Sequence, residues 1–298
     1  RLLVLAQPRA EDRTVTLGAA VAGRFFAIHP LPVESVSWIT ERRDVLSGLL
    51  FLATTLVYLG RWTADGVPQP RGRLRYAVCL IVFAAAVLSK SMTVTLPAVL
   101  IILDVYPLRR LGPAAGGWLT PRARAVWLEK VPFLLLSALT VAVTFAIHRG
   151  HENLASMEEF GLVDRLALCV HSLVFYLWKT LVPIGLSPMY ELPATLEPWR
   201  WRFVGAAVLA LAITVAALAR ARRWPALLAA WTAYGLMLIP VSGLFQNGFQ
   251  VAADRYSYLP CLPWALLAGA GDAQLVTGGG AARRAPAAVA LTPQALVA

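Results

Sequence analysis

A short polar stretch, HPLPVESVSWITERRD at residues 29–44, lies between two apolar runs and carries a histidine, three carboxylates and two arginines. If this stretch is helical, Glu34, Trp38 and Arg42 are spaced i, i+4 and i+8 along one face. Arg42 and Arg43 suit an anionic phosphate, because a guanidinium group offers paired hydrogen-bond donors. The alternative interpretation is that Trp38 anchors the chain at a membrane surface while the charges pair among themselves.

Two further groups of ionisable residues adjoin apolar runs. Lys90 interrupts the apolar sequence in LSKSMTVTLP, and Asp254, Arg255 and Tyr256 precede the last apolar run in QVAADRYSYLP. Ionisable residues in such places are candidates for a functional site. A snorkelling lysine and an interfacial anchor with a local ion pair are the structural alternatives, and the residues alone leave both open.

The composition indicates an integral membrane protein. Of the 298 residues, 58% are hydrophobic and 14% are charged, and the mean hydropathy is +0.65, which exceeds that of soluble domains. A helix needs about 20 mostly apolar residues to cross a bilayer. The runs that could form such helices are 14–28, 45–60, 76–89, 92–107, 131–147, 163–186, 203–219, 225–241 and 257–271.

The charges of the connections predict the topology, because short cytoplasmic loops collect Lys and Arg. If all nine runs crossed the membrane, the alternation of basic and acidic connections would fail once. The alternation is restored if the run at 163–186 lies along the interface or enters the membrane and returns on the same side. We therefore predict an all-α integral membrane protein with about eight transmembrane helices plus one interfacial or re-entrant helix. Its basic loops face the cytoplasm and residues 29–44 face the other side. The net charge is +11, but the basic residues are spread over separate loops, so no nucleic-acid partner is expected.

Three segments are expected along the chain. Residues 1–13 are predicted to be a cytoplasmic N-terminal remnant, 14–272 a multi-span membrane domain, and 273–298 a flexible tail rich in Ala, Gly and Pro. The Pro/Gly-rich stretch at 107–121 is interpreted as a flexible linker. Because the chain starts at Arg1 without an initiator methionine, we expect a fragment or a processed piece.

Four stretches resemble a known family: HPLPVESVSWITERRDVLSGLLF, LSKSMTVTLPAVLIILDVYPLRR, FYLWKTLVPIGLSPMYELP and ADRYSYLP. They are similar to the membrane portion of the transmembrane and tetratricopeptide-repeat O-mannosyltransferases and their bacterial relatives. The resemblance implies a C-type glycosyltransferase fold that takes a sugar from a polyprenyl-phosphate carrier. It implies inverting transfer to a Ser or Thr of a translocated acceptor protein, with an acidic general base and cations that stabilise the departing phosphate.

The chain departs from the family pattern in three places. The outward loop that carries the acidic motif is expected upstream of Arg1, so the catalytic residue is unknown. The tetratricopeptide repeats are not found downstream, and Ser91 stands where relatives are expected to have Glu or Pro after the LSK lysine. We therefore predict that the complete protein is a glycosyltransferase. The residues of this chain are assigned to binding, and none is assigned as the catalytic base.

The resemblance and the outward loops together suggest binding roles. The predicted phosphate-binding residues are Arg42, Arg43, Lys90 and Arg255, and the predicted supporting polar network is His29, Glu34, Asp44, Asp254 and Tyr256. No cofactor is required by the sequence; the lipid-linked sugar is the donor substrate, and the need for a divalent metal is left open. The expected partners are membrane lipids, the lipid-linked sugar and the translocated acceptor, in a bacterial inner membrane.

Two other function classes stay open at this point. A membrane transporter or lipid flippase also needs many spans and intramembrane charge. However, most of the charge here lies near the ends of the apolar runs, which favours an interfacial site. A non-catalytic membrane scaffold is the other alternative, because a transferase without its base is inert.

Overall fold

The apolar runs fold into α-helices that are joined by short 3₁₀ turns and one small sheet. The computed structural model describes residues 2–6, 12–62, 69, 71–113, 116–150, 161–191, 196–244 and 250–278. The α-helices are α1 Leu2–Ala6, α2 Asp12–Ile28, α3 Val33–Ser37, α4 Arg42–Leu59, α5 Gly72–Ser89, α6 Leu96–Val105, α7 Pro121–Gly150, α8 Leu162–Leu181, α9 Trp201–Ala219, α10 Pro225–Leu238 and α11 Cys261–Gly278. The strands β1 Tyr190–Glu191 and β2 Gln250–Ala252 pair in an antiparallel sheet.

Helices α2 and α11 pack against each other through small residues. A Cβ atom added to Gly269 would meet the backbone oxygen of Gly18 and would lie 2.9 Å from the Cβ of Ala22. Small residues let helix backbones approach closely, which is how helices associate where no water drives them together. The C-terminal end of α2 and the N-terminal end of α11 are therefore held side by side.

Helices α4 and α5 form a second tightly packed pair. Phe51 of α4 and Cys79 and Phe83 of α5 are buried in the main core, and the Cys79 thiol lies 3.7 Å from the carbonyl oxygen of Thr54. The two helices run in opposite directions, so the start of α4 lies beside the end of α5. Both helix pairs thus present loop residues at the same end of the bundle.

The prediction of an all-α membrane protein agrees with the helices of the structure. Among the described residues, three helices are long and apolar enough to cross a membrane, at Gly72–Ser89, Pro121–Ile147 and Trp201–Ala219. Their outward faces expose large apolar side chains, such as Leu135 and Leu211, and such faces are stable only against lipid or another apolar partner. The count of eight spans stays a prediction.

The predicted run at 92–107 forms two pieces rather than one long helix. A 3₁₀ turn covers Ser91–Thr95, and α6 then extends only over Leu96–Val105. A helix of this length is about 15 Å long, about half of the roughly 30 Å hydrocarbon core. Pro97 in the first turn of α6 explains the division, because proline starts a helix but cannot accommodate a preceding helical turn.

The predicted interfacial run at 163–186 contains a helix that ends earlier. Helix α8 ends at Leu181, just before Pro183 and Gly185, and Gly185 has a positive φ of 57°. Proline keeps the preceding residue out of the helical region, and glycine adopts positive φ without steric cost. Whether α8 lies along the interface or re-enters stays a prediction.

The expectation that 107–121 is a flexible linker is wrong for its first part. Leu108 and Leu111 are buried, and Arg110 pairs with carboxylates on two other elements. The Pro/Gly content suggested a linker because composition does not reveal that Arg110 and the two leucines have partners in the fold.

The predicted segment boundaries at the two chain ends do not coincide with the ends of the helices there. Helix α1 lies within the predicted remnant at 1–13, and its residues Leu3 and Leu5 are buried. Helix α11 continues to Gly278, six residues past the predicted end of the membrane domain at 272. The rest of the predicted tail, 279–298, lies outside the described residues.

We expect Gly269→Ala to destabilise the protein, because its new Cβ would push against the Gly18 backbone and separate α2 from α11. Gly271→Ala is the matched control, since a Cβ at Gly271 meets nothing within 4 Å. Both changes raise helix propensity by about 1 kcal/mol, so only the packing differs. Thermal unfolding in a mild detergent checks this, and an equal midpoint for the two variants would contradict close packing at Gly269.

Candidate functional site

A group of six ionisable residues meets at the end of the bundle where α4 begins and α5 ends. We call it the Lys90 cluster. It joins parts of the chain that are far apart in sequence, since Glu34 and Arg255 are 221 positions apart. Its members are Glu34, Glu41, Arg43, Asp44, Lys90 and Arg255.

Lys90 lies between two carboxylates. Its Nζ atom is 3.3 Å from Oε2 of Glu41 and in direct contact with Oδ1 of Asp44. The hydroxyl of Ser35 donates to the other oxygen of Asp44 at 3.1 Å. The Asp44 side chain is 3% exposed and the Lys90 side chain 14%, so these charges are largely shielded from water and interact strongly.

Arg255 joins the segment before α11 to the short helix α3. Its Nη1 atom lies 2.7 Å from Oε1 of Glu34, and its backbone N–H donates to Oε2 of the same residue at 2.9 Å. A weaker contact of 3.7 Å links its Nε atom to Glu41, and Nη1 also donates to the carbonyl oxygen of Pro188 at 2.9 Å. The α2–α11 packing described above brings Glu34 and Arg255 together.

Arg43, a member of the cluster, and Arg42 beside it in sequence are both exposed to solvent. Arg43 lies 3.4 Å from Glu41 through Nε, and its side chain is 57% exposed. Arg42 is exposed and has no ion pair within the described residues. Both belong to the first turn of α4, as does the buried Asp44.

The ion pairs of the cluster shift the pKa values of the side chains that form them. Burial by itself would raise the pKa of Glu41, but Lys90 and Arg43 outweigh it, and the pKa lies below its ordinary value of 4.5. Burial would lower the pKa of Arg255, but its hydrogen bond to Glu34 and its neighbour Tyr256 raise it instead. Both groups are therefore charged at neutral pH.

The predicted supporting residues are only partly in this network. Asp254 accepts from the hydroxyl of Tyr190 at 3.0 Å rather than from a cluster cation, and burial, its largest influence, raises its pKa. The guanidinium carbon of Arg255 lies 5.1 Å from the ring centre of Tyr256. The prediction that Glu34 and Asp44 contact the cations agrees with these positions.

His29 lies outside the ion network. Its Nδ1 atom accepts from the N–H of Leu31 at 3.2 Å, and Nε2 lies 2.9 Å from the carbonyl oxygen of Thr180. These partners fix the tautomer in which Nε2 carries the proton. Burial, opposed by the bond to Thr180, lowers the pKa of His29. His29 therefore links the end of α2 to the end of α8 through a hydrogen bond.

No set of His, Cys, Asp and Glu side chains that suits a metal ion occurs in the part of the chain that the structure describes. The carboxylates of the Lys90 cluster bind cationic side chains instead. The question of a divalent metal stays as open as the sequence left it.

A second charged group lies at the opposite end of α4, and the sequence interpretation missed it. Asp104 is fully buried and accepts from the Tyr58 hydroxyl at 2.7 Å and from Arg110 Nη1 at 2.7 Å, while the Lys130 ammonium lies 2.5 Å from it. Arg110 also pairs with Glu129 at 2.9 Å. We call these five residues the Asp104 cluster. The only signal in the sequence was Asp104 at the end of an apolar run, six residues before Arg110.

We expect Lys90→Met to destabilise the protein by about 3–5 kcal/mol, because it leaves the buried Asp44 carboxylate without its cation and removes one of the cations beside Glu41. Adding Asp44→Asn to that variant should recover part of the loss, since the amide removes one uncompensated charge. Unfolding of the single and double variants in detergent measures the coupling. If Asp44→Asn costs the same in both backgrounds, Lys90 and Asp44 do not interact.

We expect the protein to lose stability as the pH falls below about 4.5, because the folded-state pKa of Glu41 is lowered and its ionised form stabilises the fold above the unfolded pKa. Glu41→Gln removes this contribution, so its midpoint should change less between neutral and acidic buffer. Thermal unfolding of both proteins over a pH series checks this. An unchanged pH profile would show that Glu41 is not held ionised by its neighbours.

Comparison with known proteins finds partial similarity to O-mannosyltransferases. The chain is 36% identical over 86 residues to "Protein O-mannosyl-transferase Tmtc2" of Drosophila melanogaster, which covers 28% of this chain and 9% of that protein. It is 28% identical over 99 residues to Tmtc3 of the same organism, covering 32% and 10%. It is 36% identical over 92 residues to tmtc2 of Xenopus laevis, covering 30% and 11%.

These matches agree with the family resemblance over less than a third of the chain. The aligned part spans about a tenth of the length of the curated relatives. No protein-family model matches the chain, and no solved structure matches it. The similarity to the O-mannosyltransferases is therefore partial, both along this chain and along each relative.

Proposed function

We propose that this chain is the membrane part of a protein O-glycosyltransferase of the mannosyltransferase type, which takes its sugar from a polyprenyl-phosphate carrier. In this proposal the Lys90 cluster binds the carrier phosphate. The observation that supports this proposal is that distant stretches of the chain meet at one place. The four stretches that resemble the O-mannosyltransferases are spread over residues 29–260, yet residues of all four contact one another around Glu34, Lys90 and Arg255.

The charge of the cluster supports a phosphate diester as the ligand. Arg43, Lys90 and Arg255 are balanced by three carboxylates, Glu34, Glu41 and Asp44. Exposed Arg42 adds one uncompensated positive charge at the open side. A polyprenyl-phosphate sugar has one negative charge on its phosphodiester, so the balance suits one such group. The carboxylates hold Lys90 and Arg255 in place before the ligand arrives, which limits the entropy lost on binding.

Electrostatics at this site would also assist the chemistry. When the sugar leaves the carrier, the phosphate gains negative charge, and fixed cations lower the energy of that transition state. Lys90 and Arg255 are suited to this role because their partners fix them in a largely dry environment. Arg42 and Arg43 would contact the phosphate from the exposed side of the cluster.

An apolar cavity of about 160 Å³ supports a lipid carrier. It lies between α1, α4, α6, α10 and α11 and is lined by side chains such as Phe51, Leu52, Val99, Met237 and Leu266. The carbon chain of an isoprenoid gains free energy of about 0.8 kcal/mol per buried CH₂ group. Because Phe51 is seven residues along α4 from Asp44, about 10 Å of helix separates this cavity from the cluster.

The general base is not assigned to the described residues. Glu34, Glu41 and Asp44 are all committed to cations, and a general base needs a free lone pair within hydrogen-bond reach of the acceptor hydroxyl. We propose that the base is an acidic side chain that does not belong to the Lys90 cluster. The proposed placement of the cluster on the outer face rests on the distribution of basic loops, and the proposed bacterial inner membrane rests on the resemblance to bacterial relatives.

We expect Arg42→Gln in the complete protein to weaken binding of polyprenyl-phosphate mannose about tenfold, because one charged hydrogen bond to phosphate is worth about 1.5–3 kcal/mol. The change should leave the fold intact, since Arg42 has no partner within the described residues. Arg73→Gln is the matched control, an exposed arginine at the opposite end of α5. Donor titration in nanodiscs, followed by a transfer assay, measures the effect.

Equal donor affinity for the Arg42 and Arg73 variants would reject the cluster as the phosphate site. Absence of transfer in the complete wild-type protein, with donor binding intact, would instead reject the enzymatic role and favour a lipid-binding scaffold.

A further inference from the structure

A second cavity, of about 640 Å³, opens between α8, the β1–β2 sheet and the start of α9. It differs from the apolar cavity because polar and aromatic groups line it together. The residues that matter for its chemistry are His171, Phe175, Tyr190, Glu191, Trp201 and Arg202.

The polar groups of this cavity are available to a ligand. Glu191 and Arg202 are exposed and form no ion pair within the described ranges. The Nδ1 atom of His171 is buried and has no hydrogen-bond partner among the residues that the structure describes. A buried polar atom without a partner costs free energy unless a ligand or water satisfies it. The cavity therefore offers a carboxylate, a guanidinium group and an imidazole at once.

Aromatic rings supply the apolar part of the wall. The Phe175 and Tyr190 rings meet edge to face with centres 4.9 Å apart, and the His171 ring stacks on Phe175 at 5.9 Å. Trp201 is 85% exposed at the rim. A large exposed indole beside a polar cavity is the arrangement expected where an amphipathic ligand is held on a flat ring.

The cavity adjoins the Lys90 cluster through Tyr190. This residue lines the cavity, and its hydroxyl donates to Asp254, whose neighbour in sequence is Arg255. Arg255 is paired with Glu34 in the cluster. Asp254 and Arg255 therefore connect the wall of this cavity with the Lys90 cluster.

We propose that this cavity binds a hexose ring. A hexose is neutral, so it needs no net charge from the site. Its hydroxyls both donate and accept hydrogen bonds, which matches Glu191, Arg202 and His171. Its C–H face is apolar and packs on an aromatic ring, which matches Trp201. This proposal rests on the proposed function, because it identifies the hexose as the sugar end of the donor. Hexose binding can nevertheless be tested without an assay of sugar transfer.

A peptide is a less suitable occupant. Peptides that add a strand to a sheet rely on a row of backbone hydrogen bonds, and β1 and β2 have only two and three residues. A purely apolar ligand would leave Glu191 and Arg202 unused.

We expect methyl α-mannoside to bind the present chain, and Trp201→Ala to weaken that binding about tenfold, equivalent to about 1.4 kcal/mol. Trp199→Ala is the matched control, because Trp199 is 82% exposed two residues before Trp201 but does not line the cavity. Saturation-transfer NMR measures the binding. The protein is placed in lipid nanodiscs, since the sugar headgroups of maltoside detergents would compete. Glu191→Gln and Arg202→Gln should each weaken the binding as well.

Absence of hexose binding to the wild-type chain, or equal loss in the Trp199 and Trp201 variants, would overturn the proposal. Binding of a Ser/Thr peptide that is lost on Trp201→Ala, without hexose binding, would replace it with an acceptor site. Hexose binding that persists while the complete protein transfers no sugar would reject the enzymatic role and keep this inference.

Discussion

The structure depends on a lysine that is shielded from water between two carboxylates. Lys90 follows directly after α5, and Glu41 and Asp44 lie at the start of α4, so the ammonium fixes the relative position of these two helices. Buried charges are stable only when each has a partner. The two helices cannot slide past one another without breaking both pairs. Arg255 extends the same restraint to the loops next to α2 and α11.

Helix α4 connects two such restraints. The Asp104 cluster is at its other end, where Tyr58 accepts from Lys130 and Arg110 and donates to Asp104. Asp44 and Tyr58 are 14 residues apart, which corresponds to about 21 Å of helix. No ionisable residue lies between them in the sequence. Charges at both ends with an apolar segment between are the pattern of a membrane-embedded helix, and they fix α4 against α5, α6 and α7.

This architecture explains why binding groups and structural groups are difficult to separate here. Glu34, Glu41 and Asp44 stabilise the bundle and also orient the cations proposed to bind phosphate. The exposed Arg42 and the cavity residues Glu191, Trp201 and Arg202 are different, because within the described residues they carry no ion pair that the fold needs. Substitutions at these positions report on ligand binding with little effect on folding, whereas substitutions at Lys90 report on both.

The sequence by itself determined the helices and the residue types of the candidate site. Apolar periodicity is a local property, so the membrane helices and the positions of Arg42, Lys90 and Arg255 next to them were readable. Only the tertiary structure decided the partners. Glu34 and Arg255 meet across 221 positions, and His29 bonds to Thr180 across 151, because helix packing brings distant parts of the chain together. The Asp104 cluster, the buried part of 107–121 and the aromatic cavity at Trp201 depend on such long-range contacts, which no local pattern records.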